Sequence, residues 1–251
     1  MTTVSDIYSF IDGFAPFSTQ ATWDNSGLLL GDGQRKVNKA LICLDLTKSA
    51  ALYAAENGCE LIVSHHPVIF RALKAIDADS VFFPLIKHDI CVISAHTNLD
   101  KAPGGVNDTL CAVLGLDYLK CGDEFGDGFL NICTFNKATQ PNDAAELLKH
   151  RLGGHVRFID GCKPITRAAV CAGAGGEYYK EAAFAGCEAL ITGDADHHDF
   201  LDAAALGVTL LAAGHYETEY PIVPVLAQKL TDRFPDIDFL RFPQNNTIRT
   251  I

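Results

Sequence analysis

Several things are scarce in this 251-residue chain: it has one tryptophan, one methionine, and 20 Lys and Arg against 31 Asp and Glu, for a formal net charge of -11. That balance argues against a nucleic-acid backbone as partner, which needs clustered cations. No apolar run approaches the ~18 residues of a membrane span. The start, MTTVSDIYSF, lacks the basic and long apolar regions of a secretory signal. The nine cysteines contain no CxxC pair. Scattered and odd in number, they read as small buried hydrophobes in a reducing cytosol, so the expected location is cytoplasmic. No serine sits in a Gly-x-Ser-x-Gly elbow, which disfavours a serine hydrolase. With 48% hydrophobic and 20% charged residues the usage is that of a globular protein, one large domain or two small ones.

What is present alternates between strand and helix. Apolar runs at 40–45, 60–64, 89–95, 130–135, 168–172, 188–192 and 207–213 read as strands, with Ala-rich helical stretches between many of them. A helix is predicted to start at Thr47 and stop at Gly58, and another to run from about Asn142 to Leu152, with a further strand at HVRFID (155–160) completing a strand–helix–strand over 129–160. Such alternation predicts an α/β fold with a largely parallel or mixed sheet covered on both faces. Residues 40–64 match 168–192 without a gap. The identities are Ala40/Ala168, Cys43/Cys171, Ala54/Ala182, Ala55/Ala183, Gly58/Gly186, Cys59/Cys187 and Glu60/Glu188. Each copy is one strand–helix–strand unit, which points to an internal duplication rather than chance likeness of Ala-rich helices. The turn-rich stretch CGDEFGDG (121–128) is the best domain boundary.

Ligand-type side chains gather just past the predicted strands, where α/β sheets place their sites. Ser64-His65-His66-Pro67 follows one strand; adjacent histidines in an extended segment point apart, so they suit two ions side by side better than one. Ala95-His96-Thr97-Asn98-Leu99-Asp100 follows another, with Asp100 either a ligand or a cap. Gly214-His215-Tyr216-Glu217-Thr218-Glu219 follows a third. Pro221 and Pro224 put His215 on a loop and Glu219 at the start of a helix, with Glu217 as a competing carboxylate. A fourth segment, Gly193-Asp194-Ala195-Asp196-His197-His198-Asp199, either lines the same cleft or is a solvated helix start. Mixed imidazole and carboxylate donors suit Zn, Mn, Fe, Co or Ni. Two such ions ~3.5–4 Å apart could hold a bridging hydroxide for hydrolysis. The loop Gly173-Ala174-Gly175-Gly176 is a turn or a phosphate cradle without a Walker lysine, and Trp23-Asp24-Asn25-Ser26-Gly27 is a loop near the site or a packed turn.

The segments WDNSGLLLG (23–31), LIVSHHPVIF (61–70), SAHTNLDKAPGGVND (94–108), CEALITGDADHH (187–198) and AAGHYETE (212–219) run in order along nearly the whole chain. In them the chain resembles the Nif-three-like dinuclear metal-centre family, whose members are described as GTP cyclohydrolase I type 2-like. The resemblance implies two interlinked α/β domains with mixed sheets flanked by helices, one built from 1–125 plus about 207–251 and the second from about 126–206. It implies two divalent metal ions per chain held by His65, His66, Asp100, His215 and Glu219. In that scheme His66 and Asp100 hold one ion, His65 and His215 the other, and Glu219 bridges. It further implies purine ring-opening hydrolysis by a metal-bound hydroxide on a small-molecule substrate such as a nucleotide, and a toroidal homohexamer. A metal-dependent phosphoesterase is the nearest alternative, and a non-enzymatic metallochaperone or regulatory protein would use the same ligands without turnover. DADHHD is denser in acids and histidines than the family pattern, which leaves an acid–base or orienting role for His197, as for His96.

Overall fold

A computed structural model describes residues 1–120, 125–244 and 246, so the first half of the predicted 121–128 boundary lies outside the described residues. The chain forms two compact units, Met1–Pro103 with Val223–Asn245, and Gly104–Ile222 with Asn246–Ile251. The second is inserted into the first along the chain.

The first unit, with elements numbered in chain order, holds α1 (Val4–Phe14), β1 (Gly27–Leu30), β2 (Lys39–Cys43), α2 (Lys48–Glu56), β3 (Leu61–Ser64), α3 (Phe82–Lys87), β4 (Cys91–Ser94) and α4 (Thr97–Lys101), and later α10 (Ile222–Arg233) and β11 (Asp238–Arg241). Its sheet runs β1-β4-β3-β2-β11, parallel except for β1. β3 and β4 are buried along their whole length, as central parallel strands covered on both faces must be, which is why their sequences are continuous apolar runs. Thr47 caps α2 by accepting from the Ala50 amide, as the sequence predicts.

The second unit holds α5 (Val106–Leu114), β5 (Asp117–Lys120), β6 (Asn131–Thr139), α6 (Pro141–Leu152), β7 (Arg157–Ile159), β8 (Ile165–Cys171), α7 (Tyr179–Phe184), β9 (Ala189–Thr192), α8 (His197–Ala205), β10 (Thr209–Ala212) and α9 (His215–Glu219). Its sheet runs β5-β6-β8-β9-β10-β7, with β8, β9 and β10 parallel and the other pairs antiparallel. Leu110, Cys111 and Leu114 of α5 pack with Leu148 of α6 and Val170, Ile191 and Leu211 of the sheet. This burial assigns α5 to the second unit. The parallel pairing of β10 with β9 does the same for 207–222. The two units meet along the chain at 103/104 and 222/223.

The duplication is physical. Ala40 to Cys43 pair with Leu61 to Ser64, and Ala168 to Cys171 pair with Ala189 to Thr192, the same register in both copies. Gly58 and Gly186, at φ +70° and +69°, end α2 and α7 in the left-handed conformation that glycine adopts freely. The amides of Cys59 and Cys187 then donate back to the carbonyls of Ala54 and Ala182, both at 2.9 Å. Glu60 accepts from the amides of Asn38 and Lys39 at 3.0 and 2.9 Å, and Glu188 from those of Thr166 and Arg167 at 3.1 and 2.8 Å. The shared Gly-Cys-Glu is thus a helix stop followed by a carboxylate that pins the start of the preceding strand.

Burial raises the Glu60 and Glu188 carboxyls, but the amide donors outweigh it and hold both below their usual value. A depressed carboxylate contributes stability above its unfolded pKa and loses it as the pH falls through the folded one. Thermal unfolding followed from pH 7 to pH 3 is therefore expected to show a shallower acid loss in a Glu60→Gln/Glu188→Gln double variant than in the native chain. Equal slopes would rule the two carboxylates out as a source of acid lability.

Candidate metal centre

In the first unit the β2·β3 and β3·β4 ladders run past the strands. His65 and His66 amides donate to the carbonyls of Cys43 and Leu44, and the Ala95 amide to that of Ser64. The ladder therefore sets where the His65 and His66 backbone lies, and the turn into α4 sets His96 and Asp100. His65, 1% exposed, bonds through Nδ1 to the Ala95 carbonyl at 2.8 Å. His66 Nδ1 bonds Asp45 Oδ1 at 2.6 Å, and Gln244 Nε2 donates to the other Asp45 oxygen at 2.6 Å. His96 Nδ1 bonds Asp24 Oδ1 at 2.8 Å. Asp24 also accepts from the Ser26 hydroxyl and the Thr97 amide.

Burial pushes the fully buried Asp24 carboxyl up, and the donors from His96 and Thr97 more than reverse it, leaving it far below the carboxylate range. It is an anion facing an imidazole. The ligand-type atoms of His65, His66 and His96 lie within 4.8 Å of one another, and His65 Nε2 is 3.6 Å from Asp100 Oδ1.

The second unit carries a matching arrangement. α9 follows β10, and His215 and Glu219 occupy one turn of it, with His215 Nε2 3.2 Å from the 4%-exposed Glu219. This corrects the expectation of His215 on a loop and Glu219 at the start of the next helix. Gly214, at φ +96°, opens a separate short helix, and the Thr218 hydroxyl holds it by donating to the Gly214 and His215 carbonyls. His215 Nδ1 bonds Asp194 Oδ2 at 2.8 Å. Glu217, the competing carboxylate, accepts from Asn246 Nδ2 at 2.7 Å instead. Burial lowers the His215 pKa, but the carboxylates of Asp194 and Glu219 dominate and raise it to about 10.

The Gly173–Gly176 loop is a packed turn against this pair. The Gly173 amide donates to Thr218 Oγ1, and its carbonyl accepts from the Gly193 and Asp194 amides. Of the acid-rich fourth segment, Asp194 orients His215 while Asp196 and Asp199 form the capping box of α8. His197 is the exposed first residue of α8.

One pattern joins these residues. In His65, His66, His96 and His215 alike, Nδ1 meets an oxygen that can only accept, a backbone carbonyl or a carboxylate. The Nδ1 proton is therefore fixed, and in the neutral ring the lone pair sits on Nε2. Metal-binding histidines are held in this way. Twice an imidazole Nε2 lies beside a carboxylate oxygen, at His65 and Asp100 and at His215 and Glu219. The donor set is nitrogen and oxygen without thiolate, which fits a borderline divalent ion. The sequence did not single out Asp45 or Gln244, and it offered Asp24 and Asp194 only as parts of longer segments. Their signal is an aspartate within two residues of a strand end for Asp45 and Asp194, and for Asp24 its place before Asn-Ser-Gly.

A profile of the family described as Duf34/NIF3 (NGG1p interacting factor 3) matches residues 2–247. The chain belongs to the Duf34/NIF3 family. Within it, a Clostridium perfringens protein named GTP cyclohydrolase 1 type 2 homolog is 32% identical, over 94% of this chain and 95% of its own. A Helicobacter pylori J99 protein named GTP cyclohydrolase 1 type 2 is 33% identical over 92% of each. The crystal structure of a Staphylococcus aureus hypothetical protein superposes with a TM-score of 0.90 at 29% identity, covering 99% of both chains. Duf34/NIF3 membership accounts for the α/β architecture of two helix-flanked mixed sheets. Among the described residues no helix is long and apolar enough to cross a membrane.

Proposed function

We propose that this Duf34/NIF3 chain is a metal-dependent hydrolase of the GTP cyclohydrolase I type 2 kind. It holds two divalent ions on His65, His66, Asp100, His215 and Glu219 and opens the five-membered ring of a purine nucleotide. The observation that carries the reading is the fixed Nδ1 proton on four histidines, with a carboxylate beside Nε2 in each unit. The names of the C. perfringens and H. pylori relatives support the substrate class. When bound, such ions supply Lewis-acid polarisation and activate water near neutral pH.

The chain's own residues do the rest. Asp45, the Ala95 carbonyl and Asp194 keep the rings of His66, His65 and His215 turned with Nε2 forward. His96 is the proton carrier: it accepts a proton at Nε2 while its Nδ1–H stays on Asp24, whose charge stabilises the resulting imidazolium. The reading includes a toroidal homohexamer and a reducing compartment, the latter supported by free cysteines throughout the described residues.

The test is turnover of GTP by metal-loaded protein, followed as released formate. Release well above that of a His66→Ala control is expected. No release above the control removes this substrate. Metal exchange without hydrolysis across a nucleotide and phosphoester panel would replace the enzyme with a metal carrier.

A further inference from the structure

Trp23 and Phe70 have no part in the ligand chemistry, and both are unusually placed. Trp23, the chain's single tryptophan, is 61% exposed and Phe70 is 50% exposed. Large rings are seldom left this open side by side unless they bind something. Their centroids lie 6.0 Å apart at 61°. Each also meets His96 edge-on, Trp23 at 6.1 Å and 73°, Phe70 at 6.3 Å and 79°. Three rings thus meet edge to face at one place, and the third is the imidazole that stands with His65 and His66.

The two exposed rings are held to this place from below. The side chain of Asp24, next to Trp23, is fully buried and bonds His96. Asn25 Nδ2 donates to the Ile69 carbonyl at 2.6 Å, tying the tryptophan loop to the phenylalanine loop. The phenylalanine loop also carries Arg71 and Lys74, both exposed and nearer Phe70 along the chain than the loop's two acids, Asp77 and Asp79.

We propose that Trp23 and Phe70 form a stacking platform that seats a planar heterocycle over His96, with Arg71 and Lys74 receiving an anionic group carried by the same molecule. The ligand class is a phosphorylated nucleobase or a close analogue. Stacking suits any flat ring, and the cations add the preference for a charged tail. This rests on the reading of the histidine cluster as the active site. It adds which residues position the substrate, and Trp23 and Phe70 are positioning residues in that scheme.

The single tryptophan makes the platform its own probe. Full-length protein, stripped of metal by chelator, is titrated with guanosine 5′-monophosphate, guanosine, ribose 5-phosphate and inorganic phosphate while Trp23 emission is followed. Saturable quenching is expected with the first two, tighter for the monophosphate, and none with the last two. Phe70→Leu is expected to weaken binding about tenfold or more. An Arg71→Gln/Lys74→Gln double variant is expected to erase the difference between nucleotide and nucleoside. Elemental analysis of each variant should show native metal content, which separates ring seating from metal loading. Quenching in a protein that takes up no metal would keep the platform and sink the hydrolase reading. Metal uptake without quenching by any base at millimolar concentration would overturn the platform. So would emission that follows protein concentration rather than ligand, since the rings would then meet a second copy of the chain.

Discussion

Apparent affinity for zinc or manganese is expected to rise about tenfold for each pH unit between pH 7.5 and 9, a window above the ordinary imidazole range. His215 is the reason. In the metal-free chain its pKa stands at about 10, because Asp194 and Glu219 flank the two ring nitrogens at 2.8 and 3.2 Å. The group therefore carries its extra proton throughout the window. A cation that takes Nε2 must displace that proton, so each unit of pH removes one factor of ten of competition until the pH nears 10. Asp194→Asn keeps the size of the side chain and removes half of the anionic surroundings, so the slope should flatten. Its affinity at pH 9 should also fall about 10–100-fold, the usual consequence of losing a ligand's orienting partner. Competition against a chelator of known affinity reads both effects. A pH-independent affinity, or an undiminished slope in Asp194→Asn, would remove His215 from the ligand set.

Gly173→Ala is expected to lower metal content and to cost part of the stability. Gly173 has φ +67°, a conformation that costs an L-residue roughly 1–2 kcal/mol. The strain is the smaller effect. An added Cβ would collide with Glu219 Oε1 and stand 3.4 Å from His215 Nε2, so the carboxylate has to move. Glu219 is buried against this backbone, and the Gly173 carbonyl also anchors the Gly193 and Asp194 amides. A shift here propagates to the partner of His215. Metal content is expected to drop by about half or more, with a modest fall in unfolding temperature. Gly58→Ala is the control: it shares the positive φ, at +70°, and meets nothing within 4 Å. It should show the stability loss with native metal content. Equal metal loss in both variants would mean that backbone strain, rather than the collision with Glu219, is responsible.

Much of the framework was legible because continuous burial leaves a continuous apolar record. The seven predicted apolar runs correspond to β2, β3, β4, β6, β8, β9 and β10, and the repeat appears as identical pairing registers. Strands β1, β5 and β11 were not legible. They lie at sheet edges, where exposed side chains carry weaker patterning; β7, also at an edge, was legible as HVRFID. The separate short helix α9 was hidden because Pro221 and Pro224 suggest one helix start, that of α10, while α9 is opened ahead of them by Gly214 at positive φ.

Residue types alone determined that this chain folds as helix-flanked α/β units, that it repeats a strand–helix–strand piece, and that imidazoles and acids gather at strand ends. Those are consequences of periodicity and composition, which act along the chain. Tertiary structure decided which aspartate meets which histidine: Asp24 with His96 across 72 positions, Asp45 with His66 across 21, Asp194 with His215 across 21. It also decided that Glu219 rather than Glu217 faces an Nε2, and that Trp23 and Phe70 both meet the ring of His96. The reason is that a hydrogen bond or a ring contact depends on distance in space, and only strand pairing, antiparallel for β1 with β4 and parallel for the others that carry these residues, brings their ends into the same few ångströms.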